Sequence, residues 1–219
     1  MDEPTSEAAQ LHEMAIELVA MSQNGLNYAT DRYDVARYGR LRAMGAELLA
    51  ILAGSDSNEF HHALLAEAGH ATPKVDVRAG LFDGSAVLLV QEARDSLWTM
   101  PGGWADALDS PSQAATREFA EEAGLQVVMS KLACVHDGTR RNAHHTGATG
   151  WPWHVYKLIF VADRCDDADP VAGLDGETLD VAFFDVDHLP PLSIGRTTAE
   201  QVGRLYQHHL DRAMPTEVD

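Results

Sequence analysis

Apolar residues recur every three or four positions from about residue 7 to residue 70, as at Leu11, Met14, Ala15 and Leu18, with no alternating stretch among them. This spacing predicts helices. Asn24-Gly25 reads as a turn closing the first. A second helical stretch, TDRYDVARYGRLRAMGAELLAILAG, sets Tyr33, Tyr38, Leu41, Leu48 and Leu52 among charged residues and ends at Gly54. A third runs from Asn58 to Gly69. These helices read as too short for a core of their own, so they are expected to pack on the following domain or on a second subunit.

The pattern changes at Ala71-Thr72-Pro73, where residues begin to alternate and β-branched types become frequent. A domain boundary is placed here, giving a helical extension over 1–70 and a second domain over 71–219. VDVRAGLF, the turn Asp83-Gly84 and SAVLLVQEA read as a β-hairpin. Pro101-Gly102-Gly103 reads as a break in regular structure, followed by a loop to Ser110. LQVVMSKLACVHDG, WHVYKLIFVAD and LDVAFFDV read as strands, and Thr197 to about Ala213 as an amphipathic helix. Strands on both sides of a central helix, with another helix at the end, predict an α/β or α+β sandwich with a mixed sheet. There is no internal repeat and no low-complexity tract.

The central helix has its own start and stop signals. Ser110 can cap it, Pro111 suits the first helical position, Gln113 completes a capping box, and Gly124 ends it. Within it, Glu118, Glu121 and Glu122 stand at i, i+3 and i+4, so their carboxylates converge along one face. Like charges at this spacing cost a few tenths of a kcal/mol per pair unless a partner compensates. A solvated acidic face is the plain reading; a site for a hard divalent cation, which prefers oxygen ligands, is the other.

Charge and composition narrow the choice. The 219-residue chain has 45% hydrophobic residues and a net charge of -18, enough apolar content for a sizeable core and a field that works against loose binding to nucleic acid or anionic membranes. A phosphate-bearing partner has to be met locally. No apolar run reaches the roughly 18 residues of a membrane helix, and the acidic N-terminus MDEPTSEAAQ does not resemble an export signal, so a cytoplasmic location is expected. Cys134 and Cys165 read as reduced structural thiols.

From the second glycine of the pair, the sequence runs Gly103-x5-Asp109-x7-Arg117-Glu118-Phe119-Ala120-Glu121-Glu122-Ala123-Gly124-Leu125. This resembles the Nudix hydrolase signature, G-x5-E-x7-R-E-U-x-E-E-x-G-U with U a bulky apolar residue, and departs from it only at Asp109, where the pattern has Glu. NGLNYATDRYDVARYGRLRAMGAELLA resembles the N-terminal helical extension of one Nudix subgroup. TPKVDVRAGLF, LWTMPGGWAD, HVYKLIF and FFDVDHLPPLS are similar to that subgroup's catalytic domain, and its members include CDP-choline pyrophosphatase-like and ADP-ribose pyrophosphatase-like enzymes.

The resemblance implies a Nudix α/β/α sandwich preceded by a small helical extension, and Mg²⁺- or Mn²⁺-dependent cleavage of a diphosphate bond in a nucleoside diphosphate joined to another group. The implied metal ligands are Glu118, Glu122, Glu121 and the carbonyl of Gly102. Arg117 orients the glutamates, and Glu121 or Glu177, with Asp180 as a second choice, helps activate water. Asp109 occupies the place of a family residue that supports the loop and helix. Trp104 and Asp106 are candidates for substrate binding, as are Arg140 with its neighbour Arg141, and His154 and Tyr156, which the pattern sets on one strand. His144 and His145 lack zinc-site spacing. The helical extension implies a homodimer. The competing reading is a nucleotide-sensing Nudix-fold binding protein. The intact glutamates favour the enzyme, and Arg32, Arg37, Arg40 and Arg42, interleaved with acids, make no basic stripe for DNA.

Overall fold

The computed structural model describes residues 7–54, 56–139, 153–173 and 176–219. Arg140, Arg141, His144 and His145 lie outside the described residues. The chain divides into two compact units, one made of the described residues of Met1–Lys74 with Gly138–Val155, the other of Val75–Asp137 with Tyr156–Asp219.

The first unit is helical: α1 (Glu7–Tyr28), α2 (Arg32–Ala53) and α3 (Ser57–Leu65). Asp31 caps α2 by accepting from the backbone N–H groups of Tyr33 and Asp34, and Gly54, with φ 64°, ends it in the left-handed conformation. Three sequence expectations need correction. α1 does not stop at Asn24-Gly25 but continues to Tyr28. There Asn24 accepts the backbone N–H of Ala71 at 2.7 Å, and Gly25 leaves room for the Tyr38 ring, which lies 2.3 Å from where a Cβ would stand. The pair serves helix packing instead of a turn.

Nor do the helices lack a core. Ala15, Ile16, Val19, Ala46, Leu49, Ala50, Phe60 and Leu64 bury one another, with Trp153 packed alongside. α1 and α2 are each 22 residues long, and small residues let them approach closely. The position of a Gly45 Cβ is 2.6 Å from the Val19 side chain. α3 is shorter than expected, ending at Leu65.

The second unit is built on a mixed seven-stranded sheet ordered β3-β2-β1-β5-β4-β7, with β6 also paired to β2. Its strands are β1 (Lys74–Asp83), β2 (Ala86–Glu92), β3 (Trp98–Thr99), β4 (Val127–Asp137), β5 (Val155–Arg164), β6 (Thr178–Asp185) and β7 (Glu217–Val218). The Asp83-Gly84 hairpin forms as expected, with Phe82 opposite Val87. α4 (Pro111–Ala123) and α5 (Ala199–Leu210) complete this unit, and α5 is capped by Thr198. α4 directs Ala115, Phe119 and Ala123 into a cluster with Val77, Leu88, Val90 and Phe160; α5 contributes Val202 and Leu205 to a second one with Val87, Ala133 and Ile159. The two helices thus bury different apolar sets from the same strands, as period-two alternation in a sheet requires.

Pro101-Gly102-Gly103 interrupts regular structure between β3 and α4, as expected, but it is not a free loop. The segment runs along β1: Ala79 donates to the Pro101 carbonyl, Val77 to that of Gly103, and Ala105 to that of Val75, at 3.0, 2.8 and 3.0 Å. α5 stops at Leu210, before Ala213, and the chain then returns as β7, parallel to β4. Its two residues are too few for a periodic signal.

Helix propensity alone says that Gly25→Ala stabilises α1 by up to about 1 kcal/mol. The Tyr38 ring reverses the sign: overpacking at this contact costs roughly 1–3 kcal/mol. Denaturant titration of the variant is expected to show a lower midpoint than the wild type; an unchanged or higher one means that Gly25 does not seat Tyr38.

Candidate active site

α4 fixes the glutamates because both of its ends are fixed. Ser110 accepts the N–H of Gln113, the Gln113 side chain accepts the N–H of Ser110, and Gly124 closes the helix at φ 67°. With Ala115, Phe119 and Ala123 turned into the core, Glu118 and Glu122 fall on the adjacent row along the helix. Glu122 is buried, and its carboxylate accepts the backbone N–H of Gly102 at 2.8 Å. That bond demands glycine at 102. Its φ is 142°, and a Cβ there would stand 2.0 Å from the Val77 carbonyl oxygen. Gly103 is bare for a second reason: a Cβ would meet the Glu118 carboxylate at 3.0 Å. The glycine pair therefore lies directly against the two carboxylates.

Arg117 gathers the remaining acids. One of its terminal nitrogens is 3.0 Å from both Glu118 and Glu121, its Nε is 3.4 Å from Asp109, and its other terminal nitrogen is 3.4 Å from Asp106. Partial burial works against its charge, but Glu118, Glu121 and Asp109 outweigh that and hold it protonated. Asp109 thus reaches the arginine despite its shorter side chain. Asp106 also accepts through its backbone from the N–H of Asp109 at 3.1 Å, closing a turn.

The electrostatics are unfavourable for the carboxylates. Burial pushes Glu122 up to about 8, with Glu118 and Glu92 adding to the shift and Arg78 and the Gly102 N–H opposing it. Burial also pushes Glu118 above the usual carboxylate range, against Arg117. A hard cation relieves desolvated, mutually repelling oxygens, so this donor set fits Mg²⁺ or Mn²⁺.

Behind the glutamates lies a buried ionic group that the motif does not contain. Arg78 donates to both oxygens of Asp76 at 3.0 Å and to the Met100 carbonyl at 3.2 Å. Lys157 donates to Asp76 at 3.4 Å and to the Arg196 carbonyl at 2.7 Å, while Arg196 meets Glu92 at 3.1 Å. Burial brings Lys157 down to about 8, and it opposes the charge on Asp76, which Arg78 and Lys157 nevertheless hold below its usual value. This group braces the strand end that leads into the glycine pair. A signal existed in the sequence: Asp76 and Arg78 stand two apart in VDVR, on the same face of a strand that is otherwise apolar.

The other candidates are spread more widely. Glu177 is exposed; its carbonyl accepts the Ala93 N–H at 2.8 Å, and it is among the charges acting on Glu92. The neighbouring Thr178 hydroxyl donates to the Glu122 carbonyl at 3.2 Å, which ties the start of β6 to the end of α4. Asp180 lies opposite Gln91 on the β2–β6 pair. Trp104 bridges to Asp76 through the backbone and is partly exposed. Tyr156 is exposed on β5. His154 precedes β5 rather than lying in it; its carbonyl accepts the Lys74 N–H, and the residue lines a cavity in the helical unit with Ile16, Gln23, Glu67 and Trp153.

Two helix carboxylates against a glycine pair, with a third held beside them by Arg117, make a set of oxygens suited to a cation that meets phosphate, and comparison with known proteins gives the family. Residues 72–205 match the NUDIX domain, and residues 9–64 match the UDP-X-like, N-terminal oligomerisation domain. The chain belongs to the Nudix family, as a pyrophosphohydrolase. It is 36% identical over 194 residues, 89% of each chain, to YjhB of Bacillus subtilis (strain 168), a provisionally named ADP-ribose pyrophosphatase. Two crystal structures are similar. That of an ADP-ribose pyrophosphatase from Streptococcus suis 89-1591 is 32% identical with a TM-score of 0.59, over 68% of this chain and all of the other. That of a UDP-X diphosphatase is 27% identical with a TM-score of 0.60, over 98% of this chain and all of the other.

The raised Glu122 sets a pH dependence for the metal-free protein. Its folded pKa of about 8 lies above the ordinary 4.5, so between these values the folded state binds more protons than the unfolded state and stability falls as pH rises. Thermal unfolding in chelator is expected to show this fall for the wild type and a flatter profile for Glu122→Gln. Added Mg²⁺ is expected to raise the wild-type Tm and to leave that of the variant nearly unmoved. Equal Mg²⁺ shifts in both proteins would remove Glu122 from the metal site.

Proposed function

We propose that the protein hydrolyses the diphosphate bond of a nucleoside diphosphate joined through its second phosphate to a non-nucleotide group, as in ADP-ribose, UDP-sugars or CDP-choline. The observation that carries this reading is the packing of Glu118 and Glu122 against the Gly102-Gly103 backbone, both buried enough to be raised above the usual carboxylate range, with Glu121 held beside Glu118 through Arg117. The names of the similar proteins, ADP-ribose pyrophosphatase and UDP-X diphosphatase, support a diphosphate linked to another group as the substrate class.

Glu118, Glu122 and Glu121, with the Gly102 carbonyl, would hold Mg²⁺ or Mn²⁺. Such an ion supplies neutralisation of the diphosphate oxygens and activation of water. The chain's own residues position the rest. Arg117 holds Glu118 and Glu121 through shared hydrogen bonds at 3.0 Å, Gly102 holds Glu122, and the Arg78–Asp76 pair fixes the strand behind them. Glu177, or Glu121 if a water stands beside it, accepts the proton of the attacking water. One P–O bond to the bridging oxygen breaks as the new one forms, and two phosphate monoesters leave. Trp104, Asp106 and Tyr156, all of the second unit, are the candidate substrate contacts. A chain of net charge -18 can accept a dianionic linkage because the cations reverse the local sign.

The decisive experiment incubates the protein with Mg²⁺ and ADP-ribose, UDP-glucose, CDP-choline or nucleoside triphosphates, and identifies the products. At least one of the first three is expected to yield a nucleoside monophosphate, and Glu122→Gln to lose on the order of 10²- to 10³-fold in kcat with the fold kept. Hydrolysis of none of them defeats the reading.

The assembly is a homodimer formed through the helical extension. Residues 9–64 match an oligomerisation domain, and α1 and α2 leave Met14, Met21, Met44 and Ile51 exposed, an apolar excess that a second copy would cover. Light scattering coupled to size exclusion is expected to give twice the chain mass, and Ile51→Glu with Met14→Glu to give one chain mass; a wild-type monomer rejects this assembly.

A further inference from the structure

The geometry points to a second metal site, of different chemistry, at the C-terminal end of the catalytic unit: Cys134, His136 and Glu217 form a site for Zn²⁺ that clips β7 to β4. Cys134 and His136 stand two apart on β4 and are both fully buried. Glu217 lies directly opposite Cys134 in the parallel β4–β7 pair. Their ligand atoms all lie within 4.8 Å of one another, and Cys134 Sγ is 3.9 Å from Glu217 Oε2. With zinc bonds of about 2.3 Å to sulfur and about 2.1 Å to nitrogen or oxygen, donors sharing one ion stand about 3.3–3.6 Å apart. Small side-chain adjustments bring these three to that spacing.

Two neighbouring observations fit an ion here. The other Glu217 oxygen is 3.5 Å from Arg204, so one oxygen is oriented by the arginine while its mate faces the thiol, the kind of support a ligating carboxylate receives. His208 of α5 is also fully buried, neither of its ring nitrogens has a hydrogen-bond partner among the described residues, and Glu217 is among the charges that act on it. Three protein donors leave the fourth position of a tetrahedral ion open to water. Thiolate and imidazole suit Zn²⁺ and are poor ligands for Mg²⁺, so the site stays distinct from the all-oxygen set of α4.

The ion would fasten a tail whose other ties include the Arg204–Glu217 ion pair and several hydrogen bonds. Thr216 donates to the Leu132 carbonyl at 2.8 Å, Asp219 to that of Val135 at 3.3 Å, and the Lys131 ammonium to those of Arg212 and Met214.

The test is a Co²⁺ titration of the chelator-treated full chain in saturating Mg²⁺, following the near-ultraviolet thiolate-to-cobalt charge-transfer band, with zinc as competitor. About one Co²⁺ per chain is expected to bind with this band. The band should persist in Cys165→Ser, which removes the exposed thiol, and in Glu122→Gln, and should vanish in Cys134→Ser. Should Cys134→Ser fail to fold, Glu217→Gln serves, since Glu217 is only partly buried; it is expected to weaken Co²⁺ binding at least about tenfold and to abolish the rise in Tm that zinc gives the wild type. No thiolate band in the wild type, a band surviving Cys134→Ser, or unchanged affinity in Glu217→Gln overturns the site.

Discussion

One desolvated carboxylate sets the terms for the catalytic unit. Glu122 is held out of water by the helix that carries it, and it receives a backbone hydrogen bond from Gly102. An unpaired buried charge is expensive, so everything around this oxygen acts to make the position tolerable. α4 is capped at both ends, so Glu122 cannot swing outward. Gly102 adopts a backbone that other residues resist, so its N–H reaches in. Arg78 supplies positive charge from behind, and Arg117 spreads its own over Glu118, Glu121, Asp109 and Asp106. What these compensations leave over is a net attraction for cations, which is the property a diphosphate-cleaving site needs.

Arg117 and Arg78 show two ways of using a guanidinium. Arg117 is partly exposed and shares its donors among four acids, so each contact is weak and the set is adaptable. Arg78 is buried and bidentate to a single partner, Asp76. Breaking such a pair leaves an uncompensated charge in the core and costs several kcal/mol, although the intact pair adds little net stability. Its value is positional, because the same arginine grips the Met100 carbonyl just before the glycine pair. Arg78 is thus the link between the sheet and the loop that presents Gly102.

The two units were unequally legible in the sequence. The hairpin at Asp83-Gly84, the capped α4 and the period-two strands appear where their patterns place them, because turn chemistry, capping and burial all favour the same local structure there. Asn24-Gly25 looks like a turn and lies inside α1, since Tyr38 and Ala71, distant along the chain, use those two residues for packing and hydrogen bonding. Pro101-Gly102-Gly103 looks like a break and runs along β1, because its hydrogen-bond partners belong to a strand more than twenty residues earlier. β7 gave no periodic signal.

The sequence by itself determined the reaction class, for the spacing of Arg117, Glu118, Glu121 and Glu122 on a short helix is a local property that a 3.6-residue period makes unavoidable. The same window also supplies the carboxylates on which the proposed cation site rests. Tertiary structure alone decided which glutamate is buried, that Asp109 and Asp106 join Arg117, and that Asp76, Arg78, Lys157, Glu92 and Arg196 form one ionic group behind the site. It also brought Cys134, His136 and Glu217 together across a parallel strand pair. Asp106, Asp109 and Arg117 are near one another in sequence, but the loop that folds the acids back onto the arginine is not periodic; the other contacts join residues far apart in the chain and are set by strand order and register.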